Sequence, residues 1–187
     1  MTTYIPALTI PDRIFANAAA SILTPIALGS AVGILVSNKK TKETYKQLHQ
    51  PALSPPAWVF GPVWTILYGL MGYASHRAWT IGTSPLNSPW GIATARHAST
   101  VYSIQLALNL VWTPLFFGAR KPVAATVDIL ALIGTNVYLT YLWSSVDKIS
   151  AYALVPYVGW LGFATYLCTA ISHINGWDLN PKVPKAE

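Results

Sequence analysis

Charged side chains are scarce in this 187-residue sequence, where Asp, Glu, Lys and Arg make up 10% of all residues. An ordinary soluble domain carries about 25%. Hydrophobic residues make up 53%, and the mean hydropathy is +0.42. Disordered, collagen-like and coiled-coil proteins are excluded, because each requires a polar, glycine-periodic or Ala/Glu/Lys-rich composition. The composition favours an integral membrane protein.

Cysteine and histidine are also too few for a metal centre. The single cysteine, Cys168, has no partner for an internal disulfide, and the four histidines lack the spacing of metal ligands. There is no phosphate-binding loop and no Ser-His-Asp set in a recognisable context. We therefore expect no metal site, no required cofactor and no firm catalytic residue.

Long uncharged runs, by contrast, recur along the whole chain. A helix needs about 20 apolar residues to cross the hydrocarbon core of a bilayer. We predict transmembrane helices over about residues 14–38, 57–79, 98–118, 122–145 and 150–174. The sequence therefore predicts an all-α integral membrane protein, a bundle of five transmembrane helices that forms a single membrane domain over residues 1–187.

The basic residues predict how such a bundle is oriented, since cytosolic loops are rich in Lys and Arg. Eight of the twelve basic residues fall on one side of a five-span protein: Lys39, Lys40, Lys42, Lys46, Arg120, Lys121, Lys182 and Lys185. The C-terminus is thus predicted to be cytosolic, with the positive charge facing anionic lipid headgroups. No nucleic-acid partner is expected, because the basic residues form no stripe with interleaved aromatics.

Three polar residues within the predicted spans are candidates for a functional role. Asp128 is costly in a bilayer, which favours a gating or ligand-pairing role. It also lies in the second turn of its helix, where the helix dipole and nearby headgroups reduce the cost, so a structural role stays open. Gln105 and Asn109 are either interhelical hydrogen-bonding groups or the polar groups of an apolar pocket.

Tryptophan is abundant, with eight residues in the chain. Trp58, Trp79, Trp143 and Trp177 fit the membrane interfaces, where tryptophan concentrates. Trp64, Trp112 and Trp160 lie deeper. Helical spacing places each of these tryptophans on one face with other residues. Trp64 shares its face with Tyr68, and Trp112 shares its face with Gln105, Asn109 and Phe116. Trp160 shares its face with Tyr157, Ala164 and Leu167. These faces predict a pocket for a flat, polycyclic ligand.

Gly29 and Gly33 form a small-residue motif in the first span. Two glycines four residues apart let another backbone approach closely. That contact lies either within the bundle or between subunits.

Two motifs point to a family. Residues 51–68 read PALSPPAWVFGPVWTILY, with Met71-Gly72 after them, and residues 105–112 read QLALNLVW. Together with Pro156-Tyr157 and Trp160, they resemble the translocator protein family, also called TspO/MBR, tryptophan-rich sensory protein or peripheral-type benzodiazepine receptor. The likeness covers about residues 15–170, in the family's order.

The resemblance implies a five-helix bundle, usually a homodimer, with a pocket open toward the cytosol. Family members bind porphyrins such as protoporphyrin IX or haem, and animal members bind cholesterol and synthetic drugs. The resemblance assigns a set of ligand-binding residues, and the polar and aromatic face of the third span adds Trp112. The predicted ligand-binding residues are Pro55, Pro56, Trp64, Tyr68, Asn109, Trp112, Trp160, Ala164 and Leu167.

The sequence departs from the family pattern at several positions. Cys168 stands where animal members have an asparagine of the cholesterol motif, and no basic residue follows Tyr166 within five positions. Ala124 replaces a tryptophan that lines the drug pocket of animal members. Thr100 and Ile104 replace glycines of a helix-packing motif, which implies a different dimer interface.

The resemblance thus predicts a membrane ligand-binding or translocator protein for porphyrins and, as a further class, sterols. One alternative is light- and oxygen-dependent porphyrin breakdown at Trp64 and Trp160. Another is a ligand-responsive sensor or scaffold with the loop Lys39–Lys46 as a moving lid. The N-terminus lacks both a bacterial signal and an Arg-rich transit pattern, which favours the mitochondrial outer membrane, with the endoplasmic reticulum as the alternative.

Overall fold

A computed structural model describes residues 3–36 and 48–179 of the chain. Within these ranges every regular element is a helix. The basic loop Lys39–Lys46, the end of the first predicted span at residue 38, and the tail residues Lys182 and Lys185 lie outside the described residues. The predicted all-α class is confirmed.

The described residues contain six α-helices. A short α1, Asp12–Ala16, precedes α2 (Ala18–Val36), α3 (Ala57–Gly82), α4 (Pro89–Thr113), α5 (Pro122–Ser144) and α6 (Lys148–Ile174). A 3-10 turn at Pro6–Leu8 precedes α1, and a π-helical turn at Pro114–Gly118 extends α4. The first predicted span is broken at Asn17, whose backbone is extended. The third predicted span corresponds to α4, which begins at Pro89, nine residues before the predicted start at residue 98.

Four helices are long and apolar enough to cross a membrane: α2, α4 with its π-helical turn, α5 and α6. The fifth long helix, α3, has 26 residues but is not among these four. Length and composition therefore support a multi-span membrane protein with four clear spans, and a count of five stays a prediction.

Glycines set the closest approach of the helices. A Cβ atom on Gly72 of α3 would overlap the backbone of Ser21 and Ile22 in α2, and one on Gly29 of α2 would overlap the ring of Tyr68. A Cβ atom on Gly33 would meet nothing within 4 Å. The first half of the predicted small-residue motif is thus used inside the bundle.

The ends of α3 and α6 are joined by a charged pair. Arg77 donates from Nε to Asp147 Oδ2 over 2.7 Å, and the same oxygen accepts the Ser150 backbone N–H at 2.9 Å to cap α6. Burial by itself raises the pKa of Asp147, but hydrogen bonds from Arg77 and Ser150 outweigh it and hold that pKa below its usual value of 3.8. This pair lies at the end of the bundle where α6 begins.

The N-terminal segment before α1 lies along α4. The backbone N–H groups of Ile5 and Ile10 donate to Thr100 Oγ1 over 3.2 Å and to Ser103 Oγ over 2.9 Å. Thr100 is therefore buried within one chain, whereas Ile104 is partly exposed. Thr100, one of the two positions at which the sequence departs from the family's packing motif, is covered by the chain's own N-terminal segment.

Candidate functional site

A narrow cavity lies between α3, α4, α5 and α6. Five of its lining residues belong to the predicted ligand-binding set: Trp64, Tyr68, Asn109, Trp112 and Ala164. Sequence analysis did not predict the other four, which are Thr113, Ile129, Leu132 and Leu161. Three of those four are plain aliphatic residues. In a membrane protein, an aliphatic residue that lines a cavity carries no signal that separates it from one that faces lipid or core.

The centre of the cavity wall is a chain of three neutral side chains. The Tyr68 hydroxyl donates to Asn109 Oδ1 over 2.7 Å, and Asn109 Nδ2 donates to the Tyr157 hydroxyl over 2.8 Å. This chain ties α3, α4 and α6 together, which is what an amide within an apolar bundle requires. Asn109 therefore links helices and also lines the cavity, and its role in ligand binding stays a prediction.

Aromatic rings pack around Trp64. Its ring centroid lies 5.4 Å from that of Tyr68, 6.1 Å from that of Tyr157 and 6.5 Å from that of Trp160. The Trp160 ring is perpendicular to Trp64 and lies behind it, where it also contacts Phe60. Trp160 thus supports the cavity wall without lining it.

Two indole N–H groups in this region are unpaired. The Nε1 atoms of Trp112 and Trp160 are buried and have no hydrogen-bond partner among the described residues. Trp112 stacks on Phe116, with centroids 5.2 Å apart and planes 9° from parallel, just where α4 passes into its π-helical turn. π-helical turns are frequent at functional sites. Each indole N–H is available to a hydrogen-bond acceptor.

Gln105 belongs to a second polar layer, one turn away from Asn109. Its Oε1 accepts a hydrogen bond from Asn136 Nδ2 at 3.3 Å, and its Nε2 donates to the Met71 sulfur at 3.8 Å. Gln105 is fully buried and does not line the cavity. The structure therefore gives Gln105 the interhelical role.

The remaining predicted residues lie around the cavity without lining it. Pro55 is half-buried and Pro56 exposed, in the segment that leads into α3, and Leu167 is buried in α6. The segment before them is attached to the end of α6, where Asn175 exchanges hydrogen bonds with the backbone of His49 at 3.0 and 3.1 Å.

The cavity is small. It has about 20 Å³ of space for a water-sized molecule, which is room for about one water. Together with adjoining space that is open to solvent, the empty volume is about 300 Å³. Sites for drug-sized ligands have about 300–1,000 Å³, so a large ligand requires the surrounding helices to move apart.

Metal chemistry has no support in the described part of the chain. Residues 3–36 and 48–179 contain no group of three or more His, Cys, Asp or Glu side chains that would hold a metal ion. The side chains that line the cavity are suited to stacking and hydrogen bonding.

Comparison with known proteins decides the family. A sequence profile of the TspO/MBR family matches residues 21–174. The chain is 38% identical over 145 residues to the translocator protein homolog of Schizosaccharomyces pombe, which is 78% of this chain and 84% of the relative. It is also 37% identical over 163 residues to the translocator protein of Homo sapiens, or 85% of this chain and 91% of the relative. The chain belongs to the TspO/MBR family.

An archaeal relative supports the same assignment. The tryptophan-rich protein TspO of Archaeoglobus fulgidus is 37% identical over 156 residues, which is 83% of this chain and 95% of the relative. The TspO/MBR match includes every residue that lines the cavity, whereas the N-terminal segment that packs on α4 precedes it. The predicted family is confirmed.

Proposed function

We propose that this TspO/MBR protein binds a flat tetrapyrrole, such as protoporphyrin IX or haem, and carries it within the membrane. The observation that supports this is the cavity itself, which is lined by the rings of Trp64, Tyr68 and Trp112 together with the amide of Asn109. Indole faces stack on flat conjugated rings. Sterols, which offer no conjugated ring system, are expected to bind more weakly.

The polar groups of the ligand require partners inside an apolar bundle. The unpaired Nε1–H of Trp112 is a hydrogen-bond donor for a carboxylate or carbonyl oxygen at the cavity edge. Asn109 is already occupied on both sides by Tyr68 and Tyr157, so it orients the two phenols. The macrocycle enters only when the four helices separate, because the cavity holds about one water in the structure.

The test is a titration of the purified protein with protoporphyrin IX in the dark, followed by tryptophan fluorescence. We expect saturable quenching, weakened at least tenfold in Trp64→Phe and Trp112→Phe, since each loses an indole face. Trp90→Phe is the matched control, because Trp90 is 61% exposed and lies outside the cavity. Unchanged affinity in both cavity variants would contradict the assignment.

Illumination of the same samples tests the enzymatic alternative. Loss of the porphyrin absorption in the light, only with protein present and only with Trp64 and Trp160 intact, would establish breakdown of the ligand. A spectrum that matches the protein-free control would leave binding and transport.

We also propose that α3 spans the membrane, so that five helices cross it and the C-terminus is cytosolic, in the mitochondrial outer membrane. Its 26 residues suffice to cross, and it packs against both α2 and α6. Leu86 and Ala119 are exposed in the loops on either side of α4. In Leu86→Cys and Ala119→Cys variants, an impermeant maleimide should label only Ala119→Cys from the cytosolic side. Labelling of both from one side would contradict the topology.

The native cysteine does not disturb this measurement, since Cys168 is buried. Fractionation of cells that express the protein tests the organelle. Recovery of the protein with the endoplasmic reticulum in place of mitochondria would overturn the proposed location and leave the proposed topology unaffected.

A further inference from the structure

Asp128 is a buried carboxylate that the porphyrin proposal does not use. The residue is 9% exposed, and its Oδ2 atom has no hydrogen-bond partner among the described residues. Within residues 3–36 and 48–179, the ion pair found joins Arg77 to Asp147, and no described cation pairs with Asp128. Such a carboxylate inside a membrane-spanning helix is unusual.

The position of Asp128 connects it to the cavity. On α5 it directly precedes Ile129 and lies one turn before Leu132, and both of these line the cavity. Residues four apart lie on the same helix face, so Asp128 lies on the face of Leu132.

An ionised carboxylate in an apolar interior is expensive unless it is paired. The described residues supply no cation to Asp128, and a cationic ligand provides that pairing. The neighbouring rings favour such a ligand, because the faces of tryptophan and tyrosine attract cations. Trp64, Tyr68 and Trp112 supply three such rings in the cavity wall.

We propose that Asp128 is the counter-ion in a cation-binding subsite of this cavity. The subsite takes the protonated amine of a small aromatic amphiphile. The ammonium group pairs with the free carboxylate oxygen, and the aromatic part of the ligand lies among the indole and phenol rings. The subsite does not depend on a tetrapyrrole being the ligand.

The test compares two probes of nearly equal shape, 4-fluorobenzylammonium and 4-fluorobenzyl alcohol. Binding to the detergent-solubilised protein at neutral pH is followed by fluorine NMR, with protein-free micelles as the reference for partitioning. We expect the ammonium probe to bind at least tenfold more tightly than the alcohol, which corresponds to about 1.4 kcal/mol. Both probes are much smaller than a macrocycle, so each requires a smaller opening of the cavity.

Two variants locate the effect. Asp128→Asn should abolish the preference for the ammonium, and Asp12→Asn should retain it, because Asp12 is exposed and precedes the first long helix. Equal binding of both probes by the unmodified protein would overturn the proposal, and this comparison needs no variant to fold. Loss of the preference in both variants would also overturn it, since net charge alone would then explain the effect.

These outcomes are separate from those of the porphyrin titration. A preference for the ammonium probe without quenching by porphyrin would support the Asp128 subsite and contradict the proposal that the protein binds a tetrapyrrole. Porphyrin quenching without ammonium preference would do the reverse.

Discussion

The two halves of the bundle are both rich in aromatic residues, yet they differ in how those residues are used. In the half where α6 begins, Phe15 stacks on Trp79 and Tyr102 stacks on Trp143, with centroids 5.6 and 5.9 Å apart. Phe15, Tyr102 and Trp143 are each at most 2% exposed, and none lines the cavity. We call this the closed half.

The other half contains the cavity, and we call it the cavity half. Trp64, Trp112 and Trp160 are only partly buried there, and two of the three indole N–H groups have no hydrogen-bond partner within the described ranges. An abundance of tryptophan therefore does not by itself predict a binding site. Unpaired polar atoms do not separate the halves, since the Tyr102 hydroxyl of the closed half also has no hydrogen-bond partner among the described residues. The rings of the cavity half differ in their residual exposure, which leaves ring surface for contact with a ligand.

The largest expected effect separates the halves by stability. Trp143→Ala should lower the free energy of unfolding by about 3–5 kcal/mol, because it removes a fully packed ring from the closed half. Trp64→Ala should lower it by less, since that ring is partly exposed, and should weaken porphyrin binding. Thermal unfolding in detergent measures the first and the fluorescence titration the second. An equal loss of stability in both variants would break the comparison.

A smaller effect is expected from methyl groups at two glycines. In Gly72→Ala the added Cβ meets the α2 backbone, which cannot give way, and overpacking of this kind costs about 1–3 kcal/mol. In Gly29→Ala it meets the Tyr68 ring, which can turn toward the cavity. We therefore expect Gly72→Ala to lower the unfolding temperature more, and Gly29→Ala to alter ligand affinity more.

Each glycine has a matched control on its own helix. Gly69 on α3 and Gly33 on α2 have nothing within 4 Å of an added Cβ. Gly69→Ala and Gly33→Ala should leave both stability and affinity close to those of the unmodified protein. A loss of stability in Gly33→Ala would instead indicate that this glycine packs against another subunit.

How much of this could be predicted from sequence depends on the rarity of each residue type. Asn109, Trp64 and Trp112 were predicted as cavity residues because an amide or an indole deep in an apolar helix is unusual. Ile129, Leu132 and Leu161 were missed, since their side chains are equally suited to lipid, core or cavity. Asn136, whose amide pairs with Gln105, had the signal of a polar residue within a span and was overlooked.

The helix ends show the same limit. The start of α4 at Pro89 depends on the Ser88 cap, whose hydroxyl accepts the Gly91 N–H at 3.1 Å, and hydropathy alone does not detect a cap. The break at Asn17 likewise depends on local backbone geometry within an otherwise apolar run. Hydropathy predicts the presence of a helix and its membrane-spanning length, whereas its exact ends depend on single polar residues.

The smallest expected effect concerns the charged pair at the closed half. The pKa of Asp147 lies below 3.8 in the folded protein, so its charge stabilises the fold at pH values above 3.8 and ceases to do so as the pH falls through the lowered folded-state pKa. Because the Arg77 side chain is 32% exposed, we expect the pair to contribute about 1 kcal/mol or less. Asp147→Asn removes the charge and keeps a residue that caps helices well. The difference in thermal stability between the unmodified protein and Asp147→Asn should therefore be constant from pH 7 to pH 5 and shrink below pH 3.8. A difference that stays constant down to pH 2 would show that the carboxylate acts through the cap and not through its charge.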